Sequence, residues 1–312
     1  MQKRNLTVTE FALLGFPSAP EHQYCLFLVF LVLYVLTLMA NLTIILIVRM
    51  EHSLSQSPMY FLLSHFSFLE IWYTTVTIPK MLSDFFSPTK TISYPGCVSQ
   101  MYFFFSLGLT EFFLLAVMAI DRYSAICNPL RYATIMTSRV CIHLALWSWI
   151  SGFLIGLLLA TSASRLLFCG SNQINHFFCD FIPLFKLSCT ETHIVDSLSF
   201  IIAWAVILIS FFFTAVSYFF IVRAICRIPS TTGQHKAFST CVSHLTVVLT
   251  FYGTVIFMYI RPTAHHDFEM EKAISLLYTV ITPLLNPLIY TLRNREVKVA
   301  LRKTLRRHKV SF

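Results

Sequence analysis

The chain has 312 residues, of which 56% are hydrophobic and only 12% charged, with a net charge of +9. A soluble domain of this size carries more charge and shorter apolar runs, so the composition points to a polytopic membrane protein. The basic surplus does not argue for nucleic acid as a partner: it sits in the tail and in short loops beside apolar stretches, the positive-inside pattern.

Residues 1–23 are polar and read as an extracellular N-terminus, with a glycosylation sequon at Asn5 (Asn5-Leu6-Thr7). No short apolar core with a cleavage site precedes the first span, which is expected to act as its own insertion signal. Asn41-Leu42-Thr43 repeats the triplet inside an apolar run, where no modification is expected. Residues 24–292 hold seven apolar stretches: Tyr24–Val48, Met59–Leu82, Val98–Ile120, Val140–Ser162, Val195–Ala224, Ala237–Ile260 and Lys272–Leu292. Each suits a helix of ~20 residues across a hydrocarbon core. The fold class expected is therefore all-α, a seven-transmembrane helix bundle.

Basic residues set the orientation. Arg49, Arg122, Arg131, Arg139, Arg223, Arg227 and Lys236, with the tail, fall on one side and outnumber those on the other. This places the N-terminus outside and the tail, 293–312, in the cytoplasm. Within the tail, Val297, Leu301 and Leu305 recur at helical spacing with basic residues between them. That pattern predicts a short amphipathic helix on the inner leaflet, its Lys and Arg facing anionic headgroups, so membrane lipid is an expected partner. Cys97, Cys169, Cys179 and Cys189 would face the oxidising outside, and four cysteines permit three pairings. Cys25, Cys127, Cys141, Cys226 and Cys241 read as free thiols.

The third stretch carries most of the chemistry. It runs from Met101 through Glu111 to Asp121-Arg122-Tyr123 and stops at Asn128-Pro129. An acid at mid-membrane is costly and marks function. Glu70 lies at similar depth in the second stretch, and Asn41 and Asn286 are polar residues at similar depth in the first and seventh. Two carboxylates in low dielectric stay ionised together only with a cation or donors between them. A transporter would also use midplane charges, but no internal repeat is present. No nucleophile–base set or metal-ligand spacing points to an enzyme.

Four motifs stand in order, each in the span where it belongs: Pro58-Met59-Tyr60-Phe61-Leu62-Leu63-Ser64; Met118-Ala119-Ile120-Asp121-Arg122-Tyr123 through Tyr132; Lys236-Ala237-Phe238-Ser239-Thr240-Cys241-Val242-Ser243-His244-Leu245; and Pro283-Leu284-Leu285-Asn286-Pro287-Leu288-Ile289-Tyr290. With Phe11-Ala12-Leu13-Leu14-Gly15-Phe16 near the start, the chain resembles an odorant receptor of the rhodopsin-like G-protein-coupled class along nearly its whole length. Departures are Ile120 for tyrosine, Ser124 for valine and Leu62 for phenylalanine; none removes a charge or a proline.

The resemblance implies a plasma-membrane receptor that binds small, mostly apolar volatile molecules inside the bundle. It would activate a stimulatory heterotrimeric G protein and raise cyclic AMP, with a trafficking chaperone as a further expected partner. It implies a switch in which Arg122, beside Asp121 and Tyr123, is restrained at rest and released on activation. Tyr218 and Tyr290 are its natural hydroxyl partners, and Asn286 and Pro287 belong to the same apparatus. It places Glu70, Glu111 and Asn41 in a polar core that holds a sodium ion, or else shares protons without metal; no other cofactor is expected. It pairs Cys97 with Cys179, leaving Cys169 with Cys189. The ligand lining it implies is Phe104, Phe105, Gly108 and Leu109 on the third span, and Ile202, Ala203 and Val206 on the fifth. Tyr252, Val255, Ile256 and Tyr259 would follow on the sixth, and Leu276 and Thr279 on the seventh. Tyr259 and Thr279 are the expected hydrogen-bond donors and Gly108 the source of space. No acid or base is expected at that depth, so the ligand should be neutral. A retinal photosensor would need a lysine inside the seventh span; Lys272 stands at its mouth and none follows before Lys298. His176, separated from Cys179 by two residues, is a weak copper or zinc pattern, and no metal site is assigned there.

Overall fold

The computed structural model describes residues 8–16, 20–168, 171–189, 193–260, 268–293 and 295–310. Its helices are α1 Pro20–Met50, α2 His52–Ser55, α3 Pro58–Asp84, α4 Tyr94–Cys127, α5 Tyr132–Ile135, α6 Ser138–Ala163, α7 Phe181–Lys186, α8 His193–Cys226, α9 Thr231–Ile260, α10 Phe268–Leu276, α11 Thr282–Arg293 and α12 Arg295–Val310. A π-helical turn, Leu277–Ile281, joins α10 to α11. The three strands are β1 Glu10–Leu13, β2 Thr91–Ser93 and β3 Gln173–Ile174.

Local chemistry sets several helix ends. Pro58 opens α3 behind Ser57, where a missing N–H costs nothing. The Ser93 hydroxyl accepts the Gly96 N–H at the start of α4, and Thr137 caps α6 through Val140 N–H. Asn128 before Pro129 is driven out of helical geometry, which ends α4.

Among the described residues, five helices are long and apolar enough to cross a membrane, or six if α9, bent by 46° between Ser239 and Cys241, is one span. The second expected span, α3, has the length but not the apolarity. Ser67, Glu70, Thr74 and Thr77 are all buried on its inner face, so its polar groups are spent inside the bundle. α4 is the axis of the bundle, buried along most of its length and packed against α3, α6 and α8. Its approach to α6 is close because α6 offers Gly152 and Gly156: a Cβ at either would overlap Thr110 Oγ1 or Ser106 Oγ. Small residues four apart let helix backbones meet this way.

A sheet of order β2-β1-β3 closes one end of the bundle, a feature the all-helical expectation did not include. β1 pairs antiparallel with β2 (Phe11 opposite Ile92) and parallel with β3 (Leu13 opposite Ile174). At the other end, α12 buries Val297 and Ala300. Lys303 Nζ bonds Glu51 Oε2 at 2.6 Å, and Tyr60 donates to Glu296 Oε2 at 2.8 Å. Lys303 was expected to face lipid headgroups; it turns to Glu51 because that buried carboxylate needs a cation.

The Cys97–Cys179 disulfide is present, with Cα atoms 5.4 Å apart. Cys189 is also disulfide-bonded. Its expected partner Cys169, and the sequon at Asn5, lie outside the described residues. The five remaining cysteines are free.

Candidate functional site

At the inner end of α4, Asp121 and Arg122 are both buried. Arg122 Nη2 donates to Asp121 Oδ2 at 2.5 Å, and the Tyr132 hydroxyl, from α5, donates to Asp121 Oδ1 at 2.7 Å. A guanidinium in low dielectric needs such a partner. Burial and then the Asp121 carboxylate push the Tyr132 phenol well above its ordinary value. Tyr123 is only half-buried and sets its ring against Phe220 at 6.0 Å.

Tyr218 does not bond Arg122. Its hydroxyl lies 2.6 Å from His244 Nδ1, with the two rings stacked at 5.8 Å, and the pair sits within electrostatic reach of Arg122. The Tyr290 hydroxyl is buried without a partner among the described residues, and its ring meets Phe66 edge-on at 6.4 Å. Both tyrosines therefore lie within electrostatic reach of Arg122 and neither bonds it.

Midway along the bundle the polar residues converge for a reason visible in the backbone. Pro287 has no N–H to offer the Pro283 carbonyl one turn back. Asn41 Nδ2 takes that carbonyl instead, at 3.2 Å. Asn286 Nδ2, one residue before the proline, donates to Glu70 Oε1 at 2.5 Å. Glu111 lies within electrostatic reach of Glu70. Four buried acceptor oxygens here have no partner among the described residues: Asn41 Oδ1, Glu70 Oε2, Glu111 Oε1 and Asn286 Oδ1. Orphaned acceptors in low dielectric are costly, and an all-oxygen set of this kind fits a small hard cation. It fits shared protons equally.

Toward the sheet end the lining is aromatic. Phe104 stacks on Tyr73 at 4.9 Å and meets Phe178 at 4.7 Å, and Phe105 meets Phe181 at 4.4 Å. A Cβ at Gly108 would find only the Tyr73 ring, at 3.8 Å, so the glycine does leave space. Leu109, Val206 and Tyr252 are buried; Ile202, Ala203, Val255, Ile256 and Leu276 are half-buried. Tyr252 sets its ring edge-on to Phe112 at 5.4 Å. Thr279 is buried, but its hydroxyl already donates to the Ser275 carbonyl at 2.7 Å, so it is an acceptor and not the expected donor. The Tyr259 side chain lies outside the described residues.

Sequence reasoning missed the polar groups that do sit here. His176 Nδ1 receives the Phe178 N–H, which leaves Nε2 protonated and donating to Ser275 Oγ at 3.2 Å. Ser275 Oγ lies 2.9 Å from the Tyr278 hydroxyl, and the Tyr278 ring is 6.1 Å from Phe104. Burial, and then the nearby Lys272 cation, hold His176 down at about 3. Lys272 itself is 2% exposed, a buried base where none was expected. Burial pushes Asp180 up to about 6, partly offset by the Phe181 N–H it accepts. Gln100 ties three pieces together: its amide donates to the Val76 carbonyl at 2.9 Å and accepts the Cys179 N–H at 2.9 Å. The signal for His176 was its place three residues before Cys179, in the loop that roofs the bundle.

A family model described as olfactory receptor matches residues 30–308. The chain is 52% identical over 302 residues to olfactory receptor 6B9 of Mus musculus, covering 96% of this chain and 95% of that one. It is 54% identical over 296 residues to olfactory receptor 287 of Rattus norvegicus, covering 95% of each. It is 52% identical over 301 residues to olfactory receptor 11L1 of Homo sapiens, covering 96% of this chain and 93% of that one.

Proposed function

Since the chain belongs to the olfactory receptor family, we propose that it binds small, mostly apolar volatile molecules inside the helix bundle and activates a stimulatory heterotrimeric G protein, raising cyclic AMP. It is a multi-pass plasma-membrane receptor and not an enzyme. The observation that carries the reading is that one helix, α4, bears Phe104 in an aromatic enclosure at one end and the restrained Asp121–Arg122 pair at the other. Volume filled at the first end displaces a rigid rod whose second end is a bistable ion pair.

In this reading α3 and α9 complete seven spans, the sheet end faces outward and the tail faces the cytoplasm, where α12 lies on the inner leaflet. Asn5 carries glycan, Cys169 pairs with Cys189, and a trafficking chaperone assists export. The ligand touches Phe104, Phe105, Gly108, Leu109, Ile202, Ala203, Val206, Tyr252, Val255, Ile256, Tyr259, Leu276 and Thr279. A sodium ion resting between Glu70 and Glu111 is one way to satisfy their orphaned oxygens, and a proton shared by the two acids is the other. The test is a cyclic AMP reporter in cells expressing the chain, challenged with a panel of volatile alcohols, aldehydes, ketones and esters. A saturable response to some members supports the reading; ligand-dependent solute flux without cyclic AMP contradicts it.

A further inference from the structure

The N-terminal segment grips the loop between α6 and α8 at the point where that loop covers the bundle. Leu14 N–H donates to the Ile174 carbonyl at 2.9 Å, and Gly15 N–H to the His176 carbonyl at 3.2 Å. Phe11 and Leu13 are 0% and 1% exposed, and Phe16 stacks on Phe177 at 5.3 Å. The His176 ring reaches the other way. Its Nε2 bonds Ser275, its edge meets Phe178 at 4.4 Å, and Phe178 lies against Phe104. One residue thus joins the N-terminus by its backbone to the seventh-span helix and α4 by its side chain.

We propose that residues 10–16 are positioning residues for the ligand site: they hold His176, and through it fix Phe104, Ser275 and Tyr278. The proposal rests on the reading of the Phe104 region as the odorant site. No residue of the strap has to touch the ligand. Strands this short are marginal, so the strap opens locally far below the cost of global unfolding. A small change in strap stability is then read directly at the roof.

Gly15 is the point at which to apply such a change. Its φ is +58°, and no described residue comes within 4 Å of where a Cβ would stand. A substitution there acts through the backbone alone. Asn adopts the left-handed conformation readily, whereas a β-branched side chain does not.

The buried imidazole supplies a second readout. Ser275, Tyr278 and Lys272 face it from the seventh-span helix and Phe177 and Phe178 from its own loop, where Asp180 follows four residues on, and the strap adds Phe16 and backbone. Held at about 3 against an ordinary 6.5, His176 is neutral under the closed roof. Its contribution to closure is complete above 6.5 and weakens about tenfold per pH unit below it. Asp180, held at about 6 against 3.8, acts in the opposite sense, so the two are separated by replacing His176.

The experiment is hydrogen exchange on the purified full chain, without ligand, read on the peptide spanning 174–179. Wild type, Gly15→Asn and Gly15→Val are compared near pH 7.5 and near pH 5.5 after correction for intrinsic exchange. Gly15→Asn should exchange as wild type and Gly15→Val about tenfold faster. The ratio of exchange at the lower to the higher pH should be about tenfold larger in Gly15→Val than in Gly15→Val/His176→Gln. If Gly15→Val does not reach the membrane, Gly15→Ala, with less strain, gives the same comparison. Exchange in the strained variant equal to wild type overturns the proposal. In cells, Gly15→Val should raise the EC50 for every responding straight-chain alcohol, aldehyde or ketone at equal surface level, and Gly15→Asn should not. Faster exchange with unchanged EC50 also overturns it. A wild type silent to that panel counts against the receptor reading, and exchange alone then decides the strap, upholding it if protection is lost and overturning it if protection is kept.

Discussion

The Tyr132 hydroxyl donates to Asp121 Oδ1, the carboxylate oxygen that Arg122 leaves open. Asp121 therefore serves two masters, one on its own helix and one in the short helix beyond Pro129. A hydrogen bond to a charged group contributes ~1.5–3 kcal/mol. If this pairing is the resting one, as the proposed switch requires, Tyr132→Phe weakens it, and basal cyclic AMP should rise, on the order of tenfold, at unchanged surface level. Basal signalling equal to wild type would remove Tyr132 from the restraint.

The close approach of α4 and α6 gives a stability prediction. Gly156 has no room for a Cβ beside Ser106, and the obstructing atoms include backbone. Gly156→Val should force the helices apart at a cost of ~1–3 kcal/mol or more. Gly108→Ala, at a site with ordinary clearance, should be tolerated. Surface labelling of tagged receptor checks both; equal export of the two variants would contradict the packing.

Some of this was legible in the sequence and some was not. The long helices α1, α4, α6 and α8 followed from apolar run length, and the buried Asp121–Arg122 pair and Glu70 from charges placed where lipid forbids idle ones. Asn41 was singled out for its depth, but its role depends on Pro287 lacking an N–H and could be assigned only once both helices were placed. The sheet was not legible, because strands as short as Gln173–Ile174 carry no periodicity. His176, Ser275 and Tyr278 were not legible as a set, because their meeting depends on a loop folding back over the bundle. Thr279 was misjudged as a donor because helix back-bonding to Ser275 was not considered.

Asp180 gives a pH prediction outside the spans. Its carboxyl is held at about 6, above its ordinary 3.8. The charged form is the one that burial disfavours, so Asp180 supports folding fully below 3.8, and that support is lost as pH rises through 6. The difference is ~3 kcal/mol at most. Asp180→Asn keeps the cap on Phe181 while removing the charge. It should raise the melting temperature of purified receptor above pH 6 and leave it unchanged near pH 4. A lower melting temperature at neutral pH would contradict this assignment.

The polar core gives a test by ion replacement. If sodium rests between Glu70 and Glu111, replacing it by a bulky organic cation should raise basal signalling, and Glu111→Gln should abolish that dependence. No sodium effect together with full function of Glu111→Gln would mean that the two acids share a proton instead.

The central claim is that the aromatic enclosure around Phe104 and the ion pair at Arg122 are two ends of one switch. The most direct measurement is the cyclic AMP dose–response to an activating odorant in cells carrying wild type or Arg122→Ala at matched surface level. The wild type should give a saturable response and the variant none. A variant that responds at full strength would contradict it.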